Sequence, residues 1–144
     1  MADQSTGTVH GPRSSLVLGL LPHRRKKTGL AYVEGQRAVG EGLHGSWPVE
    51  ALLLDVEFAE SKEGKSLAAL AKNRGCEAFL LNRRSMEKLS DCDTPPGIAL
   101  TLHLPTKKLT DYEDLPHRLL VLDRLGDPGN VGTLIRSAVA FGFT

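Results

Sequence analysis

The sequence predicts an α/β fold in which helices cover both faces of a parallel or mixed sheet. Short aliphatic runs alternate with segments of helical spacing over residues 29–104. The composition agrees, because 40% apolar, 24% charged and 5% aromatic residues in a chain of 144 suit an aliphatic globular core. No apolar run reaches the roughly 18–20 residues that span a bilayer, so no transmembrane segment is predicted.

The strands and helices follow one another in regular order. The predicted strands are Leu30–Val33, Val49–Leu54, Ala78–Leu81 and Ile98–Leu104. The predicted helices are Gly35–Leu43, Glu63–Arg74 and Ser85–Leu89. Gly75 suits a helix C-terminal cap, and Glu34 suits the start of a helix, where a carboxylate is favoured by the dipole. Residues 29–104 are therefore predicted to form one small α/β/α domain.

A second βα unit follows a Pro-containing linker at residues 105–117. The run Arg118–Asp123 predicts a buried strand, and Thr133–Phe141 predicts an apolar helix. One strand and one helix cannot bury themselves, since a sheet needs neighbouring strands. Residues 118–144 are therefore predicted to begin a second domain; docking on the first domain is the alternative.

Charge separates a basic N-terminal arm, residues 1–28, from a mildly acidic body. The arm holds five Lys or Arg side chains against one acidic residue, whereas residues 29–144 hold 13 against 16. Four of the five are consecutive: Arg24, Arg25, Lys26 and Lys27. Such an arm suits a polyanion, whether RNA, DNA or a membrane surface, and a solvated tail is the alternative. Because these charges follow the apolar run Leu16–Leu21, a secretory signal is excluded.

Cysteine and histidine usage points to a reduced compartment and no metal. Cys76 and Cys92 are far apart, and neither belongs to a CxxC pair. The five histidines show no spacing typical of metal ligands. A cytoplasmic location is predicted, with a mitochondrial one as the alternative for a chain with a short basic arm.

The turn Gly126–Gly132, GDPGNVG, stands out as a candidate functional motif. No Lys follows at the spacing of a Walker A loop, and its glycines are three apart, unlike GxGxxG. A KH loop lies between helices, whereas a strand is predicted before this turn. Taken alone, the turn fits a plain strand-to-helix connection.

The longer string LLVLDRLGDPGNVGTLIRSAVAFGF resembles the first signature motif of the SpoU/TrmH family of RNA ribose 2′-O-methyltransferases, which belong to the SPOUT class. In that family an apolar strand ends in Asp, DPxNxG follows, and a helix carries Arg and ends near AFG. The matching residues are Asp123, Asp127, Pro128, Asn130, Gly132, Arg136, Ala138, Phe141 and Gly142. Upstream, Val33-Glu34-Gly35 and Pro96-Gly97-Ile98 resemble the family's substrate-binding domain, so the resemblance covers residues 14–144.

The resemblance implies methyl transfer from S-adenosylmethionine to a ribose 2′-hydroxyl of structured rRNA or tRNA by a homodimeric enzyme. It assigns catalytic roles to Arg136, which would assist loss of the hydroxyl proton, and to Asn130. Because arginine is a poor base, holding the phosphate beside the ribose is the easier task for Arg136. The expected RNA contacts are the basic block with Arg83 and Arg84.

Family members continue through two further motifs, whose knotted loops hold S-adenosylmethionine. The resemblance therefore implies that residues 118–144 are an incomplete start of the knotted domain, with no cofactor-binding residue, and that the chain is an inactive N-terminal portion. A non-catalytic RNA-binding module is the alternative. An unrelated nucleotide-binding α/β domain is disfavoured by the failed phosphate-loop spacings.

Overall fold

The computed structural model describes residues 18–25, 27–105, 118 and 120–143. The chain divides into two units, Met1–Pro105 and Thr106–Thr144. The elements of the first unit are α1 (Pro22–Arg25), β1 (Leu30–Glu34), α2 (Gln36–His44), β2 (Val49–Asp55), α3 (Val56–Glu60), α4 (Lys62–Asn73), β3 (Glu77–Leu81), α5 (Arg83–Leu89) and β4 (Ile98–His103). The second unit contains α6 (Pro128–Ala140). Over the described part of the chain, no helix has the length and apolarity to span a membrane.

The sheet of the first unit is mixed, with strand order β1-β4-β2-β3. Strand β4 lies between β1 and β2 and is antiparallel to both, whereas β2 and β3 are parallel. Ile98 lies opposite Leu54, and Asp55 lies opposite Leu81. The predicted α/β class with a mixed sheet is confirmed. The ends of β1, β2 and β3 and the start of β4 therefore meet at one edge.

Both faces of the sheet are covered, because side chains alternate along each strand. Along β2, Leu52 and Leu54 pack with α2 and α4, a side that we call the first face. Ala51 and Leu53 pack with α5 and Leu20 on the second face. Other fully buried members of the two clusters are Val39, Ala71, Ile98 and Leu100 on the first face and Met86, Leu89 and Ala99 on the second.

Local hydrogen bonds explain where α4 begins and ends. Ser61 caps its start by accepting a hydrogen bond from the Gly64 amide at 2.9 Å. At its end Gly75 adopts a φ of 68°, and the Cys76 amide donates to the Ala71 carbonyl at 2.9 Å. This closure confirms the predicted cap at Gly75.

The thiol of Cys76, the residue after this cap, is buried. Burial raises the pKa of the Cys76 thiol to about 11.

Three helices differ clearly from the sequence prediction, and the first of them, α1, lies in the arm, where no helix was predicted. The Asp55 carboxylate accepts a hydrogen bond from the Phe58 amide at 2.7 Å and so starts α3, a short helix that the periodicity missed. Helix α6 begins at Pro128 instead of Thr133, with Asp127 as its N-cap. The segment interpreted as a turn is the first helical turn, since Pro favours the first position of a helix.

The predicted buried strand Arg118–Asp123 is not formed. Its described residues, 118 and 120–123, have no strand structure, and Val121 is 75% exposed. The apolar run predicted burial from continuity alone. Strand structure also requires a partner ladder, and no described strand pairs with this segment.

We expect Gly64→Ala to lower the free energy of unfolding by about 3 kcal/mol. A Cβ at this buried position would lie 1.9 Å from the Phe58 carbonyl oxygen, so α3 and α4 would have to separate. The matched control is Gly40→Ala in α2, where the nearest side-chain atom would be at 3.8 Å. Helix propensity should make the control about 0.5–1 kcal/mol more stable. Urea unfolding followed by circular dichroism measures both; equal effects would contradict the tight α3–α4 contact.

Candidate functional site

The edge where the strands meet also collects the starts of three helices, α2, α3 and α5. We call it the loop edge and define it by Gly35, Asp55, Asn82 and Gly97. The Gly35 amide donates to the Ile98 carbonyl at 3.1 Å, and the Asp55 amide donates to the Gly97 carbonyl at 2.8 Å. These bonds continue the sheet into the loops, so side chains on the loop edge are carried by a fixed backbone.

Arg25, a predicted RNA contact, is turned into the first unit. Its side chain is 12% exposed, and its Nε donates to the Leu20 carbonyl at 2.6 Å. One Nη pairs with the carboxylate of Asp91, and the guanidinium carbon lies 4.0 Å from the centroid of the Tyr32 ring. Since Leu20 is fully buried on the second face, the predicted arm is packed against the domain from Leu20 onward.

Glu34 extends this polar cluster. Its Oε2 accepts a hydrogen bond from the Asp91 amide at 3.0 Å and lies 3.7 Å from the Cys92 sulfur. Burial, followed by the charge of Glu34, raises the pKa of Tyr32 well above its ordinary value. Glu34 therefore anchors residues 91 and 92. It does not cap α2, which begins after Gly35 without a side-chain cap.

The other predicted RNA contacts are exposed where the structure describes them. Arg24 lies at the surface within α1 and Lys27 at the surface just after it, whereas Lys26 falls outside the described residues. Arg83 and Arg84 occupy the first turn of α5 and are exposed. Arg83 pairs with Glu87 at 3.4 Å. Because α5 and the segment beginning at Leu20 share one core cluster, these cations belong to the same face of the sheet.

Charge differs sharply between the two faces. The first-face helices carry four basic and four acidic side chains, namely Arg37, Lys62, Lys65 and Lys72 against Glu41, Glu57, Glu60 and Glu63. The described second-face segments, residues 20–25, 27–29 and 83–91, carry six basic and two acidic side chains, namely Arg24, Arg25, Lys27, Arg83, Arg84 and Lys88 against Glu87 and Asp91. The second face therefore carries an excess of basic side chains, whereas the helices of the first face are balanced.

In the second unit, Arg136 is exposed on α6 and folds back along the helix. Its Nη2 donates to the Thr133 hydroxyl at 3.2 Å, and that hydroxyl donates to the Gly129 carbonyl at 2.9 Å. A Cβ at Gly132 would lie 3.2 Å from the other Nη of Arg136. The glycine thus leaves room for the guanidinium beside the helix backbone.

Asn130 is exposed in the first turn of α6 and does not contact Arg136. The N-cap of α6 is Asp127, whose carboxylate accepts a hydrogen bond from the Gly129 amide at 2.8 Å. Six residues separate Asn130 from Arg136, about 120° around the helix axis. The structure therefore holds the two predicted catalytic side chains on one helix without bringing them together.

Three structural residues were missed by the sequence analysis. Arg74 donates to the carbonyls of Leu43 and Trp47, both at 2.7 Å, and so closes the end of α2. Arg118 donates to the Phe141 carbonyl at 3.0 Å at the end of α6. Asp91 pairs with Arg25. All four interactions join residues distant in sequence, and no local pattern signals them.

Comparison with known proteins identifies the family of this chain. The family model described as "MRM3-like substrate binding domain" matches residues 21–100 of this chain. The chain belongs to this family. It is 29% identical over 118 residues to the 23S rRNA (guanosine(2553)-2′-O)-methyltransferase RlmP of Bacillus subtilis, covering 82% of this chain and 43% of RlmP. It is also 29% identical over 138 residues to the mitochondrial rRNA methyltransferase 3 of Homo sapiens, covering 90% of this chain and 31% of that protein.

A solved structure of a SpoU methyltransferase is also similar to this chain. The SpoU methyltransferase AviRb from Streptomyces viridochromogenes, crystallised with the cofactor AdoMet, is similar with a TM-score of 0.66 and 27% identity. The match covers 93% of this chain and 51% of AviRb. The resemblance to SpoU methyltransferases is thereby confirmed. The chain spans less than half the length of the two curated relatives it matches here.

We expect Arg25→Ala to loosen residues 20–28 and to lower the free energy of unfolding by about 1–3 kcal/mol. The change removes the ion pair, the ring contact and the bond to Leu20. Hydrogen exchange should show faster exchange of these amides. Arg24→Ala removes the same charge one residue earlier and should leave the exchange unchanged. Similar exchange in the two variants would show that Arg25 does not fasten the arm.

Proposed function

We propose that this chain binds RNA through the second face of its first unit, as the substrate-binding part of a SpoU-type RNA 2′-O-ribose methyltransferase. The observation that carries the proposal is the excess of basic side chains on that face. A surface with this excess binds phosphates irrespective of sequence. The RNA-directed activities in the names of the relatives favour RNA as the polyanion.

Within this proposal the basic residues have different tasks. Arg24, Lys26, Lys27, Arg83 and Arg84 contact phosphates. Arg25 places its neighbours by binding Asp91 and Leu20, because its guanidinium is already engaged. Sequence-independent contacts of this kind set orientation on a structured rRNA or tRNA and leave base readout to other groups.

For the second unit we propose that Arg136 holds a phosphate beside the reacting ribose, and that Asn130 assists at the start of the same helix. An exposed guanidinium fork tethered to Thr133 suits bidentate phosphate binding. S-Adenosylmethionine would supply the methyl group. The described residues 118 and 120–143 form one helix and an irregular segment with exposed apolar side chains, which do not fit an enclosed cofactor. We therefore assign no step to the cofactor here, and we propose that this chain alone is inactive.

A non-catalytic RNA-binding module remains the second candidate. Its support is that the first unit has a buried core on both faces of its sheet, whereas Val121, Val139 and Phe141 of the second unit are 68–75% exposed. In a full-length enzyme, we propose that such apolar side chains contribute to a homodimer.

For the location of the protein we propose the cytoplasm, because the thiols of Cys76 and Cys92 are free. The name of the human relative favours mitochondria as the alternative.

The salt dependence of RNA binding tests the main proposal. For duplex RNA, each phosphate contact should add about 0.9 to the slope of log Kd plotted against log salt concentration, if the coefficient for B-DNA is taken as a guide. We expect the triple variant R24A/K27A/R84A to reduce that slope by about 2–3. The control R37A/K62A/K65A removes the same charge from the first face and should leave the slope unchanged. A larger loss in the control would move the interface to the first face.

Calorimetry with S-adenosylmethionine tests the division of labour between this chain and the rest of such an enzyme. We expect the 144-residue chain to give no saturable binding heat, because the described residues 118 and 120–143 form one helix and an irregular segment with exposed apolar side chains. The triple variant R24A/K27A/R84A serves as control for nonspecific heats. A stoichiometric binding isotherm would contradict the proposal and would place a complete cofactor site within this chain.

A further inference from the structure

A cavity of about 340 Å³ opens at the loop edge of the first unit. Its apolar lining comes from three separate segments: Phe58 of α3, Met86 of α5, and Pro95 with Pro96 from the loop before β4. This volume is near the lower end of the roughly 300–1,000 Å³ typical of small-molecule sites. The walls and the size suit one flat ring system better than an extended ligand.

Three charged groups line the same cavity, namely Asp55, Glu57 and Arg83. Arg83 is exposed at its rim, and its pair with Glu87 at 3.4 Å joins two exposed side chains. An exposed pair of this kind contributes little and exchanges readily for another anion. Arg83 and Arg84 also occupy the first turn of α5, where the helix dipole disfavours cations. Stability does not explain their placement, whereas a negatively charged ligand does.

Asp55 lines the cavity with a carboxylate held in one orientation. One carboxylate oxygen accepts a hydrogen bond from the Phe58 amide at 2.7 Å. The other lies against Gly97, where a Cβ would approach it to 2.8 Å and where φ is +73°. Any side chain at Gly97 would therefore displace the carboxylate. A fixed carboxylate accepts hydrogen bonds from the amino group of a nucleobase.

We propose that this cavity binds one unstacked nucleotide of single-stranded or loop RNA. The base lies against Phe58 and the two prolines, its amino group donates to Asp55, and Arg83 binds the adjacent phosphate. The inference rests on the proposed function and adds selectivity to it, since a base stacked in a duplex cannot enter the cavity. RNA is the occupant because the cavity lies beside the basic second face, to which α5 contributes both arginines.

The test compares two neighbouring arginines in the full 144-residue chain. The probes are a ten-nucleotide single-stranded RNA of mixed sequence and its ten-base-pair duplex. Arg83→Ala should weaken single-strand binding about tenfold and duplex binding much less, because the phosphate next to the bound base loses its charge-assisted hydrogen bonds. Arg84→Ala removes the same charge next to the cavity without lining it, and should weaken both probes equally. Equal losses on both probes for Arg83→Ala would overturn the inference.

Crosslinking gives a readout that does not depend on affinity. A 4-thiouridine at the centre of the single-stranded probe should crosslink, on irradiation, to peptides containing residues 57–61, 83–86 or 95–97. Crosslinks confined to residues 18–28 would overturn the cavity proposal while leaving RNA binding by the second face intact. Absence of salt-dependent binding to either probe would overturn the proposed function and this inference together.

Discussion

The insertion of β4 between β1 and β2 is the constraint on which the rest of the first unit depends. Five of its six residues are buried, and they supply core side chains to both faces. Thr101, in the middle of β4, is fully buried; its hydroxyl accepts from the Ala51 amide at 3.0 Å and donates to the Ala51 carbonyl at 3.2 Å. These bonds satisfy the backbone of β2 where the pairing shifts between Val49 and Ala51.

The position of β4 also assembles the proposed RNA surface. Entering the middle of the sheet from the loop edge, the chain before β4 brings Pro95, Pro96 and Gly97 beside Asp55 and the start of α5. The same connection carries Asp91, which holds Arg25 and with it the basic block. Arg25 Nη2, Tyr32 Oη and Glu34 Oε1 are buried and make no hydrogen bond within the described residues. Such a network is expensive for stability, which favours positioning of the arm as its purpose.

The sequence was informative about strands and poor about partners. Aliphatic runs locate all four strands of the sheet because each strand packs apolar side chains against the core clusters. A single Thr within an apolar run does not reveal which strand it will bond. In the same way, Arg25 cannot be told from Arg24 in a run of four cations; the difference arises from Tyr32 and Asp91, which only the fold brings near. The apolar run at residues 118–123 predicted a strand that is not observed among its described residues, since an apolar run does not show whether a partner strand pairs with it.

The motif in α6 was recognised by its resemblance to a family signature, and its interactions in the structure are local. Asp127 caps the helix two residues ahead, Thr133 bonds back to Gly129, and Arg136 reaches Thr133 across the space that Gly132 leaves. Each contact spans at most four residues, so their spacing in the chain already contains the geometry. The guanidinium can therefore be held in place by α6 itself, whatever packs against the helix. The Arg25 cluster spans 66 residues and needs the whole sheet first. Within this chain, the separation between interacting residues decides which functional feature a sequence can show.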